Sequence, residues 1–212
     1  MILVYDCETT GLPDFKAPSE APHQPHLVQV AALLVDPTDW SERASFHAIV
    51  KPEGWTIPAE VVAVHGITTE RAAAIGIPEK LAVSMVKHLW ELADLRIAHN
   101  QGFDARILRI ALLRHGSREL ADRWKDAPGF CTADAFEPLC RLPPTDRMKA
   151  AGRGDQFKRP KLVEALKWAT GTDLEGAHDA MADTRACLRL YRYLAENGRL
   201  PRAEKAPREA AA

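Results

Sequence analysis

Between Gly11 and His26 the chain reads GLPDFKAPSEAPHQPH, with prolines at 13, 18, 22 and 25. Proline lacks an amide N–H and fixes φ near −65°, so this density excludes a central strand or a helix. The segment must be a long loop, and long loops in compact domains are often functional. On either side lie apolar stretches, ILVYDCE at 2–8 and LVQVAALLVD at 27–36, which read as strands. After Pro37–Thr38–Asp39, residues 43–51 read as a partner strand that closes a hairpin with the second stretch.

Helical spacing then takes over. Leu81, Met85, Leu89 and Leu92 recur at intervals of 4, 4 and 3, with Pro78 near the start. Leu95–Ala98 is a short strand. A helix follows with Phe103, Ile107, Ile110 and Ala111 on one face and Asn100 as its N-cap. Phe130–Ala133 reads as a fifth strand, and residues 141–159 as irregular. Pro160 opens a helix carrying Leu162, Ala165, Leu166 and Ala169. The last helix runs from Asp179 to Glu196, with Thr184, Cys187, Tyr191 and Leu194 on one stripe, and Asn197–Gly198 stops it. Residues 198–212 have little to bury and are expected to be disordered, leaving one domain over 1–197. This order is α/β and predicts a mixed five-stranded sheet with helices on both faces.

Composition narrows the function classes. With 46% hydrophobic and 27% charged residues among 212, the chain can bury a core. No apolar run approaches the roughly 18 residues of a membrane span. The N-terminus lacks a signal peptide's basic start and apolar stretch. Twenty-eight basic against 29 acidic residues give a net charge of −1, which excludes an electrostatic wrapper of nucleic acid but not a local basic patch. Cys7, Cys131, Cys140 and Cys187 form no C-x-x-C pair and are expected reduced, in a cytoplasm. No G-x-S-x-G or Walker loop is present, which disfavours serine hydrolases and NTPases.

The carboxylates carry the chemistry. Asp6 and Glu8 are two apart in a strand, so both point to one face while Cys7 points to the other. Adjacent like charges are unfavourable unless a cation sits between them. Taken alone, the pair reads first as two solvated acids at a strand end, since such a spacing arises by chance about once in a chain of this size. Asp104, in HNQGFD at 99–104, falls in the first turn of a helix, where the dipole favours an acid anyway. Asp183, in HDAMAD at 178–183, is again an acid near a helix start, with His178 five residues before it. The conjunction is more informative than any member. Strand ends in α/β sheets are where sites form, and clustered carboxylate oxygens suit Mg²⁺ or Mn²⁺ rather than Zn²⁺.

DCETTG at 6–11, HNQGFD at 99–104 and HDAMAD at 178–183, with VHGIT at 64–68, resemble the motifs of the DEDDh 3′–5′ exonucleases over roughly residues 1–196. That family includes the proofreading epsilon subunit of bacterial DNA polymerase III. The resemblance implies an RNase H-like fold and two divalent cations, Mg²⁺ or Mn²⁺, held by Asp6, Glu8, Asp104 and Asp183, with His178 as general base. It implies that Thr9, Thr10 and Leu12 hold the terminal nucleotide, with His65 and Asn100 as weaker candidates. The implied reaction releases nucleoside monophosphates from the 3′ ends of single-stranded or frayed DNA. A polymerase or repair complex is the class of protein partner it suggests, and no membrane. Two rivals stay open: the same chemistry on RNA, and a non-catalytic nucleic-acid- or polymerase-binding module.

Residues 147–161 hold Arg147, Lys149, Arg153, Lys158, Arg159 and Lys161 against Asp155, which reads either as a phosphate-contacting loop or as a solvated surface. His23-x-x-His26 has zinc-like spacing but no cysteine partner, so metal binding there is not expected. The tryptophans at 40, 55, 90, 124 and 168 are irregularly spaced and read as packing residues.

Overall fold

The computed structural model describes residues 1–200. In chain order the elements are β1 (Ile2–Thr9), β2 (Leu27–Val35), β3 (Glu42–Ile49), α1 (Ala59–His65), α2 (Thr69–Ile75) and α3 (Glu79–Glu91). There follow β4 (Leu95–Ala98), α4 (Gln101–His115), α5 (Arg118–Asp126), β5 (Gly129–Cys131), α6 (Thr132–Cys140), α7 (Asp146–Ala150), α8 (Leu162–Thr170) and α9 (Ala180–Glu196).

The five strands form one sheet in the order β3-β2-β1-β4-β5. The first three meander antiparallel, and β1, β4 and β5 run parallel. Strand alternation splits β1 between two cores. Leu3, Tyr5 and Cys7 pack with Val83, Val86, Ile107, Leu108 and Trp124 of α3, α4 and α5. Ile2 and Val4 pack with Cys187 and Tyr191 of α9. Asp6 and Glu8 continue the parity of Ile2 and Val4, so they emerge on the α9 face. β2 is buried along its whole length because both faces are covered. The mixed sheet with helices on both faces is the expected RNase H-like architecture.

Helix α3 departs from the expected pattern. Of its leucine-spaced stripe only Leu89 is buried, while Leu81, Met85 and Leu92 are exposed. The inward face is Ala82, Val83, Val86, Leu89 and Trp90. Two apolar stripes compete on this helix, and periodicity cannot choose between them. The winning face puts the small Ala82 inward and stands Trp90 edge-on to Trp124, 5.0 Å between centroids. The fifth strand is shorter than expected, ending at Cys131, where α6 begins. The irregular stretch 141–159 contains the one-turn helix α7, capped by the Thr145 hydroxyl accepting from the Met148 amide at 3.2 Å. Helices α1, α2, α5 and α6, each of nine residues or fewer, are additional to the helices expected from the sequence.

The Pro-rich segment is a fixed loop. Gln24 knits it from within: its Oε1 accepts from the Asp14 amide at 3.0 Å, and its Nε2 donates to the carbonyls of Asp14 and Pro18 at 2.9 and 3.0 Å. Arginines then pin it from outside. Arg106 donates to the carbonyls of Asp14 and Ala17, and Arg109 to the Ser19 hydroxyl at 2.8 Å. Arg114 donates to the carbonyls of Gln24 and Pro25 at 2.6 and 2.9 Å, and Arg118 pairs with Glu20. Irregular backbone leaves carbonyls without ladder partners, and guanidinium forks supply the missing donors. At the far end of the chain, Leu200 packs against the α9 and α8 clusters. The rest of the expected disordered tail, 201–212, lies outside the described residues.

Candidate active site

β4 stops at Ala98, just past the Val4–Ile97 pair, while parallel β1 runs on to Thr9, and the site forms along that overhang, beyond the end of β4. A cleft of about 320 Å³ is lined by Asp6, Glu8, Leu12, His99, Asn100, Phe103, Asp104, Leu162, His178 and Asp183. Each acid arrives on a different support. Asp6 and Glu8 come from the end of β1. Asp104 comes from the first turn of α4, where its Oδ1 accepts from the Cys7 amide at 3.0 Å and so locks the helix to the strand. Asp183 comes from the first turn of α9.

His178 lies outside that helix. Its φ of 67° follows Gly176 at 71°, a left-handed turn that carries the ring toward the acids. Asp179 is the N-cap, its Oδ1 accepting from the amides of Met181 and Ala182, both at 3.1 Å. One ligand atom each from Glu8, His178 and Asp183 lie within 4.8 Å of one another.

No lysine or arginine lines this cleft among the described residues. The acids therefore repel in a low-dielectric setting. Burial, then the charges of Asp104, Asp183 and Glu8, push the Asp6 carboxyl well above its usual range. Burial does the same to Asp104, partly offset by the Cys7 amide. Glu8 is raised to about 8 by burial and then by Asp183 and Asp179. Asp183 is raised to about 6 by burial, against the opposing pull of His178. Asp183 Oδ1 is also buried without any hydrogen-bond partner. An orphaned carboxylate oxygen among uncompensated acids is what a hard-cation site looks like from the protein side, so the donor set fits divalent metal.

The remaining expected residues have different situations. Leu12 stands 86% exposed at the cleft rim, with Phe15 63% exposed three residues on. The Thr9 hydroxyl is spent on the Gly11 carbonyl at 2.7 Å, and the Thr10 hydroxyl accepts from the His26 amide at 2.9 Å, so both serve the loop's turn. His65, at the end of α1, lies against the Thr9 backbone and near His178, and burial holds its pKa below the usual value. Asn100 occupies the N-cap position of α4 in a left-handed conformation but makes no side-chain cap bond. Its Oδ1 accepts instead from Arg159 at 2.7 Å.

The basic segment is partly committed elsewhere. Lys158 pairs with Glu164 at 2.5 Å and Arg159 with Asp134, so of these two only Arg159 reaches the cleft rim, through Asn100. His23 faces Asp14 at 3.4 Å, and His26 stacks on Trp55.

Three polar residues beside the site escaped the sequence reading. His99 bridges Thr132 and the Pro160 carbonyl, 3.0 Å to each, tying the basic segment to the cleft wall. Gln29 and His47 reach Asp179 from β2 and β3. The available signal was a glutamine inside an otherwise apolar strand, since a buried polar residue needs partners.

The mixed five-stranded sheet with helices on both faces and an acid-lined cleft defines the RNase H-like class of folds. Within it, the model of the exonuclease family named for RNase T matches residues 3–191, and the chain belongs to that family. Escherichia coli exonuclease I bound to a dT13 oligonucleotide superposes with a TM-score of 0.68 at 21% identity, covering 91% of this chain and 40% of that one. Its zinc-bound form in complex with single-stranded DNA gives 0.67 at 18%, covering 92% and 40%. The chain thus spans about 40% of the length of these structural relatives. A comparison with curated protein sequences gives no significant match.

Proposed function

We propose that the protein is a 3′–5′ exonuclease that removes nucleoside monophosphates from single-stranded or frayed DNA, using two divalent cations. The observation that carries this reading is the convergence of Asp6, Glu8, Asp104 and Asp183 with His178 in one cleft, where Asp183 Oδ1 has no protein partner. Mg²⁺ or Mn²⁺ held by those four carboxylates would offset the phosphodiester's charge and lower the pKa of bound water. The residues do the rest. His178, on its exposed turn, takes the proton of the attacking water. Asp179 keeps that turn in place by capping α9. Leu12 offers an apolar surface to the terminal base, and the Thr9 and Thr10 turn fixes the rim on which Leu12 stands. The oligonucleotide complexes of exonuclease I support DNA as the substrate. The cytoplasmic setting belongs to this proposal, on the cysteine usage.

The test is purified protein with Mg²⁺ or Mn²⁺ and 5′-labelled DNA and RNA oligonucleotides, single- and double-stranded. A ladder shortening from the 3′ end of single-stranded DNA is expected. Preferential RNA degradation would transfer the reading to an RNA exonuclease, and no hydrolysis with intact binding would leave a binding module.

A further inference from the structure

We infer that Gln29 is a positioning residue, which sets the start of α9 and thereby holds His178 and Asp183 against Glu8. Gln29 is 3% exposed and lies directly across the β1–β2 ladder from Glu8. Its side chain spans to the other motif. Oε1 accepts from the Ala180 amide at 3.1 Å, and Nε2 donates to Asp179 Oδ2 at 3.1 Å. The amide's orientation is unambiguous, because a backbone N–H can only donate and so must face the oxygen. The second hydrogen of Nε2 is then directed at His47 Nε2, 2.7 Å away, which must accept. The His47 proton therefore sits on Nδ1.

One buried amide on β2, opposite Glu8 in the β1–β2 ladder, thus ties that ladder to the cap of the helix carrying Asp183. Asp179 divides its carboxylate: Oδ1 caps α9 and Oδ2 takes the Gln29 bond. Since the His178 turn immediately precedes this cap, the bond fixes where the ring can stand. This inference rests on the proposed nuclease site but is tested separately from it.

The experiment is a swap. Gln29→Glu turns a carboxylate onto the Asp179 carboxylate. Gln29→Glu with Asp179→Asn restores the pair with donor and acceptor exchanged. The glutamate accepts from the asparagine amide and from Ala180, His47 can shift its proton to Nε2 to donate, and the asparagine oxygen still caps α9. Misplacing a catalytic constellation by about 1 Å costs on the order of 10²-fold, so Gln29→Glu should lower kcat about 30-fold with KM within about threefold. Asp179→Asn alone should lower kcat about threefold, and the double variant should return to within about threefold of wild type. Hydrogen exchange of the 176–186 segment, measured in EDTA, should follow the same order without any turnover. A double variant no better than the product of its single changes, in kcat or in exchange, overturns the inference, as does an unchanged kcat in Gln29→Glu. Wild-type protein without nuclease activity sinks the exonuclease reading instead, and the exchange series still decides whether Gln29 positions α9.

Discussion

Replacing Glu8 by glutamine should stabilise the metal-free protein at alkaline pH while removing its hydrolytic activity. Folding raises the Glu8 carboxyl from 4.5 to about 8. A group whose folded pKa is raised contributes stability that is complete below its unfolded pKa and is lost as pH rises through the folded one. For Glu8 that loss runs from about pH 4.5 to about pH 8, and Asp183 adds a smaller one between 3.8 and about 6. At about 1.4 kcal/mol per unit the Glu8 shift amounts to roughly 5 kcal/mol, which solvent screening at the open side of the cleft reduces to roughly 2–3. At about 2–4 °C per kcal/mol for a chain of this size, Glu8→Gln should raise Tm by roughly 5–10 °C at pH 8.5. The gain should vanish near pH 4.5. Thermal melts in EDTA from pH 4.5 to 8.5, repeated with Mn²⁺, measure both. Mn²⁺ should stabilise the wild type more than the variant, because binding to the folded state adds to stability. A variant less stable than wild type in EDTA at pH 8.5, or a gain that ignores pH, would refute the account of these acids as mutually repelling metal ligands.

The His178 and Asp179 changes should separate. His178→Ala should lower kcat by about 10²–10⁴-fold with Mn²⁺ affinity little changed. Asp179→Ala should cost about 1 kcal/mol in denaturant melts as a lost cap. Because Gln29 still holds the Ala180 amide, its kcat should fall less than tenfold, by about half the effect of a misplaced site on a logarithmic scale. Neutralising Lys158, Arg159 and Lys161 together should raise KM and flatten its salt dependence, since fewer counterions are released on binding. An effect confined to Tm would make these residues structural. Leu12→Ala should raise KM for single-stranded DNA by about tenfold, in line with roughly 1–3 kcal/mol for a lost base contact, with Tm unchanged.

The acids were legible because their supports have strong local signatures. Strand alternation puts Asp6 and Glu8 on one face, and helix starts at Gln101 and Ala180 bring Asp104 and Asp183 into first turns. His178 and Asp183 are five apart, out of phase on a helix, and the histidine accordingly stands on the loop before the Asp179 cap. Two things were hidden. The buried face of α3 depends on which stripe its neighbours can approach closely, and that is set by Ala82 of α3 together with Trp124 of α5 rather than by the spacing within α3. The clamp from Gln29 joins residues 150 apart in sequence, and no period or spacing encodes a contact of that kind.

The arginine-pinned loop has a kinetic consequence. Ordering a flexible segment costs about 1–2 kcal/mol of backbone entropy per residue. Here that cost falls on folding, because Arg106, Arg109, Arg114 and Arg118 already hold the loop. On the proposed nuclease reading, a strand end arriving at the cleft meets Leu12 in place and need not wait for a lid to form. Capture can then approach the rate of rigid docking. On the same reading, a rim held in this way favours a chain that is already unpaired and flexible.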